Sequence, residues 1–418
     1  MSLIVYSIPV FFLLIGIELL ISKMRKLSYY RFNDAVTNLS CGIGSQISGI
    51  FLKTATFIGY KYLYAHSIWK IENTILTGVL LFIGVDFFYY WFHRLAHEIS
   101  FLWGSHVVHH QSEEYNLTVA LRQAALQGAF SWVFYLPLAV IGFSPVMFIT
   151  VASLQTLYQF WIHTKLINKM PAPFEYVFNT PSHHRVHHGV NPKYIDRNHG
   201  GTLIIFDRMF GTFQAEEEEV VYGITKQPKS WNPLWVNFEY WAELFTDVLK
   251  VKKIRDGVYM LVKMPGWKPA EIGGIGEFKE VTPQTFVKYD TEISRGLTYY
   301  LWAHFILILA GTTLFLNMLK DDPFKSSLLL QVGFSAVIVF ALVNIGGIFE
   351  RKSWLPVMEF LRLAGTAALL IGFFKGSTYF ITAAVITGII ATISIVWFSL
   401  YIREFKTKTP EYVQVNAG

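Results

Sequence analysis

The segment DFFYYWFHRLAHEISFLWGSHVVHH, residues 86–110, decides how this chain is read. It starts with the apolar and aromatic residues of a membrane span and ends among five histidines. His93 and His97 are four apart and share one face of a helix; His106, His109 and His110 follow at related spacing. Further along, HRVHH at 184–188 repeats the form, preceded by Pro181-Ser182-His183, with His199 just beyond it. His163 stands alone at the end of another apolar run. Imidazole is the commonest protein ligand for a transition metal, and the triples His106/His109/His110 and His184/His187/His188 each read as three imidazoles offered to a single point. Three such sets in one chain argue against ordinary packing histidines. His66 and His304 stand apart and read as structural or interfacial, while the spacing leaves His183 and His199 open between ligand and packing roles.

The candidate ligands are therefore His93, His97, His106, His109, His110, His163, His184, His187 and His188. So many imidazoles exceed one four-coordinate zinc, and the single cysteine, Cys41, excludes both an internal disulfide and a cysteine-based zinc module. No HExxH motif is present. Two octahedral-leaning ions with open positions for oxygen fit better, and non-haem iron is the natural candidate, with zinc able to substitute on purification. Asp86, about 10 Å of helix rise from His93, reads as support for other histidines instead of a direct partner. Glu113, Glu114 and Asp207 read as carboxylates that orient ligand imidazoles; the alternative is a solvated loop acid. Asn116, Arg122 and Gln123 are candidates to bind a lipid headgroup or a reductant, with helix capping or lipid-phosphate contact as the alternative.

Around the motif the chain is hydrophobic: 53% of 418 residues, with 15% charged. A soluble domain carries about 25% charge, so the class is an all-α integral membrane protein. Runs near 3–22, 38–60, 74–92, 124–142, 145–163, 298–318, 327–349, 354–374 and 378–402 predict about nine spans. The first run lacks a basic leader and is followed by Lys23, Arg25 and Lys26, which favours an uncleaved anchor over a signal peptide. The net charge of +6 borders the apolar runs, so it reads as flanking charge and excludes a nucleic-acid stripe. With nine crossings, Arg31, Arg351, Lys352, Arg403, Lys406 and Lys408 share one side, which the positive-inside rule makes cytoplasmic; the histidine cap falls on that side too. The predicted divisions are an N-terminal hairpin over 1–73, the histidine-bearing core over 74–215, a cytoplasmic or interfacial segment over 216–297 and a transmembrane bundle over 298–418. Apolar residues from Leu234 to Leu249 recur at helical spacing, as a helix packed on the core or lying in the headgroup layer. Gly273-Gly274-Ile275-Gly276 lacks the strand and helix of a dinucleotide site and reads as a turn.

The pattern HxxxH, HxxHH, HxxHH, with DFFYYWFHRLAH at 86–97, PSHHRVHHG at 181–189 and NHGGTLIIFDRMFGTF at 198–213, resembles the fatty acid hydroxylase/sterol desaturase superfamily of membrane di-iron enzymes. Within it, HHQSEEYNLTVALRQ at 109–123 resembles the alkylglycerol monooxygenase branch and its bacterial relatives. That resemblance implies an O2-dependent monooxygenase acting on a membrane lipid. It implies hydroxylation of the ether-bearing carbon of an alkylglycerol, release of a fatty aldehyde, and tetrahydrobiopterin or another reductant as electron donor. Hydroxylation or desaturation of a fatty acyl, sterol or carotenoid chain is the alternative chemistry. The endoplasmic reticulum and a bacterial inner membrane both fit. A metal transporter is the rival of another class, but transport favours ligands near the bilayer midplane, and these sit at one edge.

Overall fold

The computed structural model describes residues 3–276, 281–406 and 415–416. It divides into two compact units, residues 1–228 with 237–288 and 416–418, and residues 229–236 with 289–415. Nearly all regular structure is helical. Among the described residues the β structure is limited to the two-residue strands Val287–Lys288 and Val415–Asn416 and two isolated bridges.

The first unit opens with the apolar helix Leu3–Met24 and a 34-residue helix, Phe32–Ala65. The helix Ile75–Glu98 carries the first histidines. It starts where a sequence with free backbone N–H groups must start, at a hydroxyl cap: Thr74 and Thr77 exchange side-chain-to-backbone hydrogen bonds of 2.9 and 3.2 Å. Leu81 and Val85 on its apolar face pack against Leu138, Phe143 and Val151. Val151 lies on the helix Pro145–Trp161, whose first turn is set by Pro145 and capped by Ser144. The short helices Val107–His110 and Pro181–His187 bring in the remaining histidine pairs.

Six helices among the described residues, against the nine predicted, are long and apolar enough to cross a membrane: Tyr6–Met24, Ile75–Glu98, Arg295–Met318, Leu328–Phe349, Leu355–Phe374 and Phe380–Phe405. The other three runs fail for separate reasons. Residues 124–142 break into Gln127–Ser131, a 3-10 stretch Trp132–Tyr135 and Leu136–Ile141, because Pro137 has no N–H to donate and Gly142 turns the chain at φ 118°. Pro145–Trp161 has 17 residues, about 26 Å at 1.5 Å each, short of the roughly 30 Å hydrocarbon core. The run 38–60 lies inside Phe32–Ala65, which buries Asn33, Asp34, Thr37, Asn38 and Ser40 and is too polar. Six such helices do not by themselves supply the parity of nine crossings on which the cytoplasmic assignment rested. Lys408, one of the charges in that assignment, lies outside the described residues.

The helix Pro233–Val248 carries buried and exposed aromatic residues. Trp241 is buried and its indole N–H donates to the Phe101 carbonyl at 2.9 Å, while Phe238 and Phe245 are exposed. Gly273 and Gly274 form a turn with positive φ.

The second unit is a bundle of Arg295–Met318, Leu328–Phe349, Leu355–Phe374 and Phe380–Tyr401. A polar network sits inside it. Arg362 binds Glu359 at 2.5 and 2.9 Å and reaches His304 Nδ1 at 3.1 Å; Asn344 donates to Glu359 at 2.9 Å, and Tyr300 donates to the same carboxylate. Removing one partner strands a buried charge, so Arg362→Met should cost about 3–5 kcal/mol. Pairing it with Glu359→Gln should recover most of that loss in a detergent melting series. A single variant as stable as the double would show that the ion pair does not hold this bundle.

Candidate metal centre

Nine imidazoles from three parts of the chain meet in two groups. His93, His97, His106, His110 and His187 form one; His109, His163, His184 and His188 form the other. Within each group one ring nitrogen per residue lies within 4.8 Å of all the others, and every member is buried. The groups adjoin: the His110 and His188 rings stack at 4.4 Å between centroids.

The division corrects the reading of each HxxHH triple as one convergent point. His106 and His110 turn to the first group and His109 to the second, while His184 and His188 turn to the second and His187 to the first. Neighbouring residues on a helix point about 100° apart, so the two members of an adjacent histidine pair face different groups.

Hydrogen bonding shows which nitrogens carry protons. Nδ1 of His93 donates to the His199 carbonyl at 2.8 Å, His109 to Arg122 O at 2.8 Å, His163 to Gln159 O at 2.8 Å and His187 to Arg197 O at 3.0 Å. His106 Nδ1 lies 3.0 Å from the Gln127 Oε1 acceptor. A carbonyl only accepts, so these nitrogens hold hydrogen and the opposite Nε2 atoms of the neutral rings are bare lone pairs. Yet Nε2 of His93 and His106 are 2.9 Å apart, and those of His109 and His163 3.2 Å apart. Nε2 of His97 and His187 find no hydrogen-bond partner at all. Lone pairs aimed at one another inside a buried site repel unless a cation lies among them. The donor set thus fits a pair of metal ions, each held by neutral nitrogen.

Burial also pushes His106 and His163 down to about 4 from the usual 6.5, in the direction a ligand needs. The sign for stability follows. An unfolded chain takes up protons near pH 6.5 that the folded, metal-stripped chain refuses until about pH 4. Chelator-treated protein should therefore lose stability steadily as pH falls across that window. A melting temperature flat between those pH values would contradict the buried neutral rings.

Against this geometry stand the sequence comparisons. The Fatty acid hydroxylase family model matches residues 78–212, the stretch that contains all nine imidazoles. An alkylglycerol monooxygenase from Xenopus tropicalis is 38% identical over 359 residues, covering 84% of this chain and 78% of its own length. The Homo sapiens alkylglycerol monooxygenase is 38% identical over 363 residues, covering 85% and 79%. The chain belongs to the alkylglycerol monooxygenase family. The ornithine lipid hydroxylase OlsE of Rhizobium tropici is more distant, 26% identical over 189 residues, 44% of this chain and 57% of its own. No solved structure matches significantly.

Around the centre of this family member, the foreseen carboxylates do not touch the rings. Asp86 accepts from the backbone N–H groups of Thr202 and Leu203, both at 2.8 Å. Asp207 accepts from the amides of His199 and Gly200 and from the Thr212 hydroxyl, each at 2.7 Å. The two acids clamp one loop from both ends, and that loop's His199 carbonyl orients His93. Burial pushes Asp207 up to about 6 against those three donors. Glu113 and Glu114 are buried but turn to Arg31, at 3.0 and 2.6 Å, and Glu114 also to Lys288 at 2.8 Å.

The foreseen headgroup residues are also engaged. Asn116 donates to Tyr29 O at 2.7 Å and accepts from Thr118. Arg122 donates to Val108 O, Asn38 Oδ1 and Gln111 Oε1 at 2.6, 3.0 and 2.9 Å, bracing the helix that bears His109 and His110. Gln123 donates to Ala120 O at 3.0 Å. His199 packs beside the first group, 5.1 Å from the His97 ring, with neither ring nitrogen hydrogen-bonded. His183 lies outside both groups, its ring against Phe213.

Two supporting residues escaped the sequence reading. Asp196 lies 3.4 Å from His97 Nδ1, held at φ 54°. Glu18, buried on the first apolar helix, accepts from Leu117 N at 2.8 Å and binds Tyr30 and Thr164. A lone carboxylate in an apolar run was the available signal for Glu18; nothing local marks Asp196.

Proposed function

We propose that this chain is an O2-dependent membrane monooxygenase that hydroxylates the ether-bearing carbon of an alkylglycerol. One oxygen atom enters the C–H bond and the other leaves as water, with two electrons and two protons drawn from a reductant. The hemiacetal so formed collapses to a fatty aldehyde and the free glycerol. The observation that carries the reading is the pair of adjoining imidazole groups whose bare nitrogens converge. The 38% identity to two alkylglycerol monooxygenases supports the substrate class.

His93, His97, His106, His110 and His187 would hold one iron ion, and His109, His163, His184 and His188 the other. Bound iron supplies the one-electron redox chemistry that O2 activation and an unactivated C–H bond require. The chain's own part is preorganisation. Backbone carbonyls fix the neutral tautomer of the rings, Arg122 braces the HVVHH segment, and Asp86 and Asp207 fix the loop behind His93. Burial excludes water from the reacting atoms. The helix Ile75–Glu98 leads from the lipid to the ligands, with Tyr89 and Trp91 at its ligand end, which suits a substrate arriving from the bilayer. The basic residues Lys23, Arg25, Lys26 and Arg31, the last paired with Glu113 and Glu114 just beyond His110, support a cytoplasmic position for the centre. Asn116 and Arg122 act as positioning groups, and tetrahydrobiopterin is the first electron donor to test.

The decisive assay incubates iron-loaded protein with O2, tetrahydrobiopterin and an alkylglycerol, with mass spectrometry for aldehyde. Fatty acids and sterols run alongside. Aldehyde dependent on all three components is expected. Protein with about two irons per chain that shows neither aldehyde nor substrate-dependent O2 uptake would overturn the proposal.

A further inference from the structure

Both imidazole groups are closed off: their members are at most 5% exposed. A reductant at the surface cannot touch them, so electrons must cross a layer of protein. Among the described residues, Tyr89, Trp103 and Tyr115 have rings against the two groups. Tyr115 meets the second group edge-on at the His188 ring, 5.3 Å between centroids, but it is fully buried and its hydroxyl donates to the Ile162 carbonyl at 3.0 Å. A phenol gives up its proton with its electron, and a carbonyl is no base. Tyr89, 5.2 Å from the His93 ring, lies on a membrane helix.

Trp103 differs on each count. Its indole faces three rings of the first group, with centroids 4.8 Å from His97, 5.4 Å from His110 and 6.2 Å from His106. It is only half-buried and lies beyond the end of the helix Ile75–Glu98. Its backbone carbonyl accepts from His106 N at 2.8 Å, so indole and ligand segment are fixed together. An indole loses an electron without needing to lose a proton.

We propose that Trp103 is the electron-relay residue between the histidine-held metal and a reductant at the surface. The inference rests on the two-metal reading above. Trp103 loses one electron to the oxidised metal pair and becomes an indole radical cation; no bond forms or breaks. A one-electron reductant such as ascorbate then returns the electron to the ring. Two such cycles deliver the two electrons of one hydroxylation. Without lipid substrate, the same path drains oxidising equivalents away from the ligand imidazoles.

The test uses full-length protein in detergent. Wild type and Trp103→Phe are loaded with iron to the same measured content, mixed with hydrogen peroxide without substrate or reductant, and rapidly frozen. The protein is loaded in the ferric state, so the two electrons and two protons that turn each peroxide into two waters must come from beyond ferric iron, and the relay indole is the side chain expected to supply the first electron. Wild type should give an electron paramagnetic resonance signal whose hyperfine pattern changes when tryptophan is ring-deuterated, and Trp103→Phe should lose it at least about tenfold. Peptide mass spectrometry of wild type, which needs no variant to fold, should find added oxygen at Trp103 ahead of the other tryptophans. An equal signal in both proteins, or iron-bearing wild type with no radical and unmodified Trp103, overturns the relay alone. Wild type that binds no iron overturns the two-metal reading and the relay with it.

Discussion

Alanine at His110 should reduce turnover to the background of metal-free protein and lower bound iron from about two to about one per chain. His110 belongs to the first group and stacks on His188 of the second at 4.4 Å, so it sits at the seam between the two. Removing it takes a nitrogen from one ion and the packing surface from a ligand of the other. His188→Ala should mirror the result from the opposite side, releasing the second ion and disturbing the first. His66→Ala is the control, because that ring is exposed, bonds through Nδ1 to Tyr62 O at 2.9 Å and lies in neither group. Metal analysis by mass spectrometry and an aldehyde assay on the same preparations read both effects. Full iron and full turnover in His110→Ala would remove that residue from the centre.

The nine ligand candidates were legible because helical periodicity and histidine spacing both act over three or four residues. Their partition was not. That His109 and His110 serve different groups depends on the direction from which Pro181–His187 and His163 approach, which is a tertiary fact. The ring acceptors were equally hidden: four of the five that fix a tautomer are backbone carbonyls, of His199, Arg122, Gln159 and Arg197, which every residue has. Asp86 read as support for other histidines and Asp207 as a carboxylate orienting a ring or a solvated loop acid; both are buried, and their target is a loop backbone instead of a ring. Arg122 and Asn116 read as candidates for a headgroup or reductant because polar side chains near a metal motif suggest binding; the structure engages each with protein partners. The predicted nine runs exceed the six long apolar helices where Pro137 interrupts one run and where the run 38–60 continues a helix with a polar start at 33–40.

The loop clamp gives the second large effect. Asp86→Ala leaves the buried amide of Thr202 and the part-buried amide of Leu203 without their acceptor, at about 1–3 kcal/mol for the buried one. It also frees the loop whose His199 carbonyl holds His93 in its tautomer. Gly201→Ala should act on the same loop by crowding: a Cβ there would stand 2.8 Å from Tyr89 Cδ1 and 2.9 Å from Asp86 Oδ1. Gly200 is as tight, with its Cβ position 2.6 Å from Leu203 O, so the pair of glycines lets both carboxylates reach the backbone. Each variant should lower activity about 10–100-fold, as removal of an outer support of a metal ligand does. The loss should fall on the first group alone, because His109, His163, His184 and His188 draw nothing from this loop. Asp86→Asn keeps one acceptor oxygen and should lie between wild type and alanine. The measurement is iron per chain with a spectroscopic count of the two sites, beside the melting temperature. If Asp86→Ala melted early yet kept both irons and wild-type turnover, the clamp would support the fold without positioning His93.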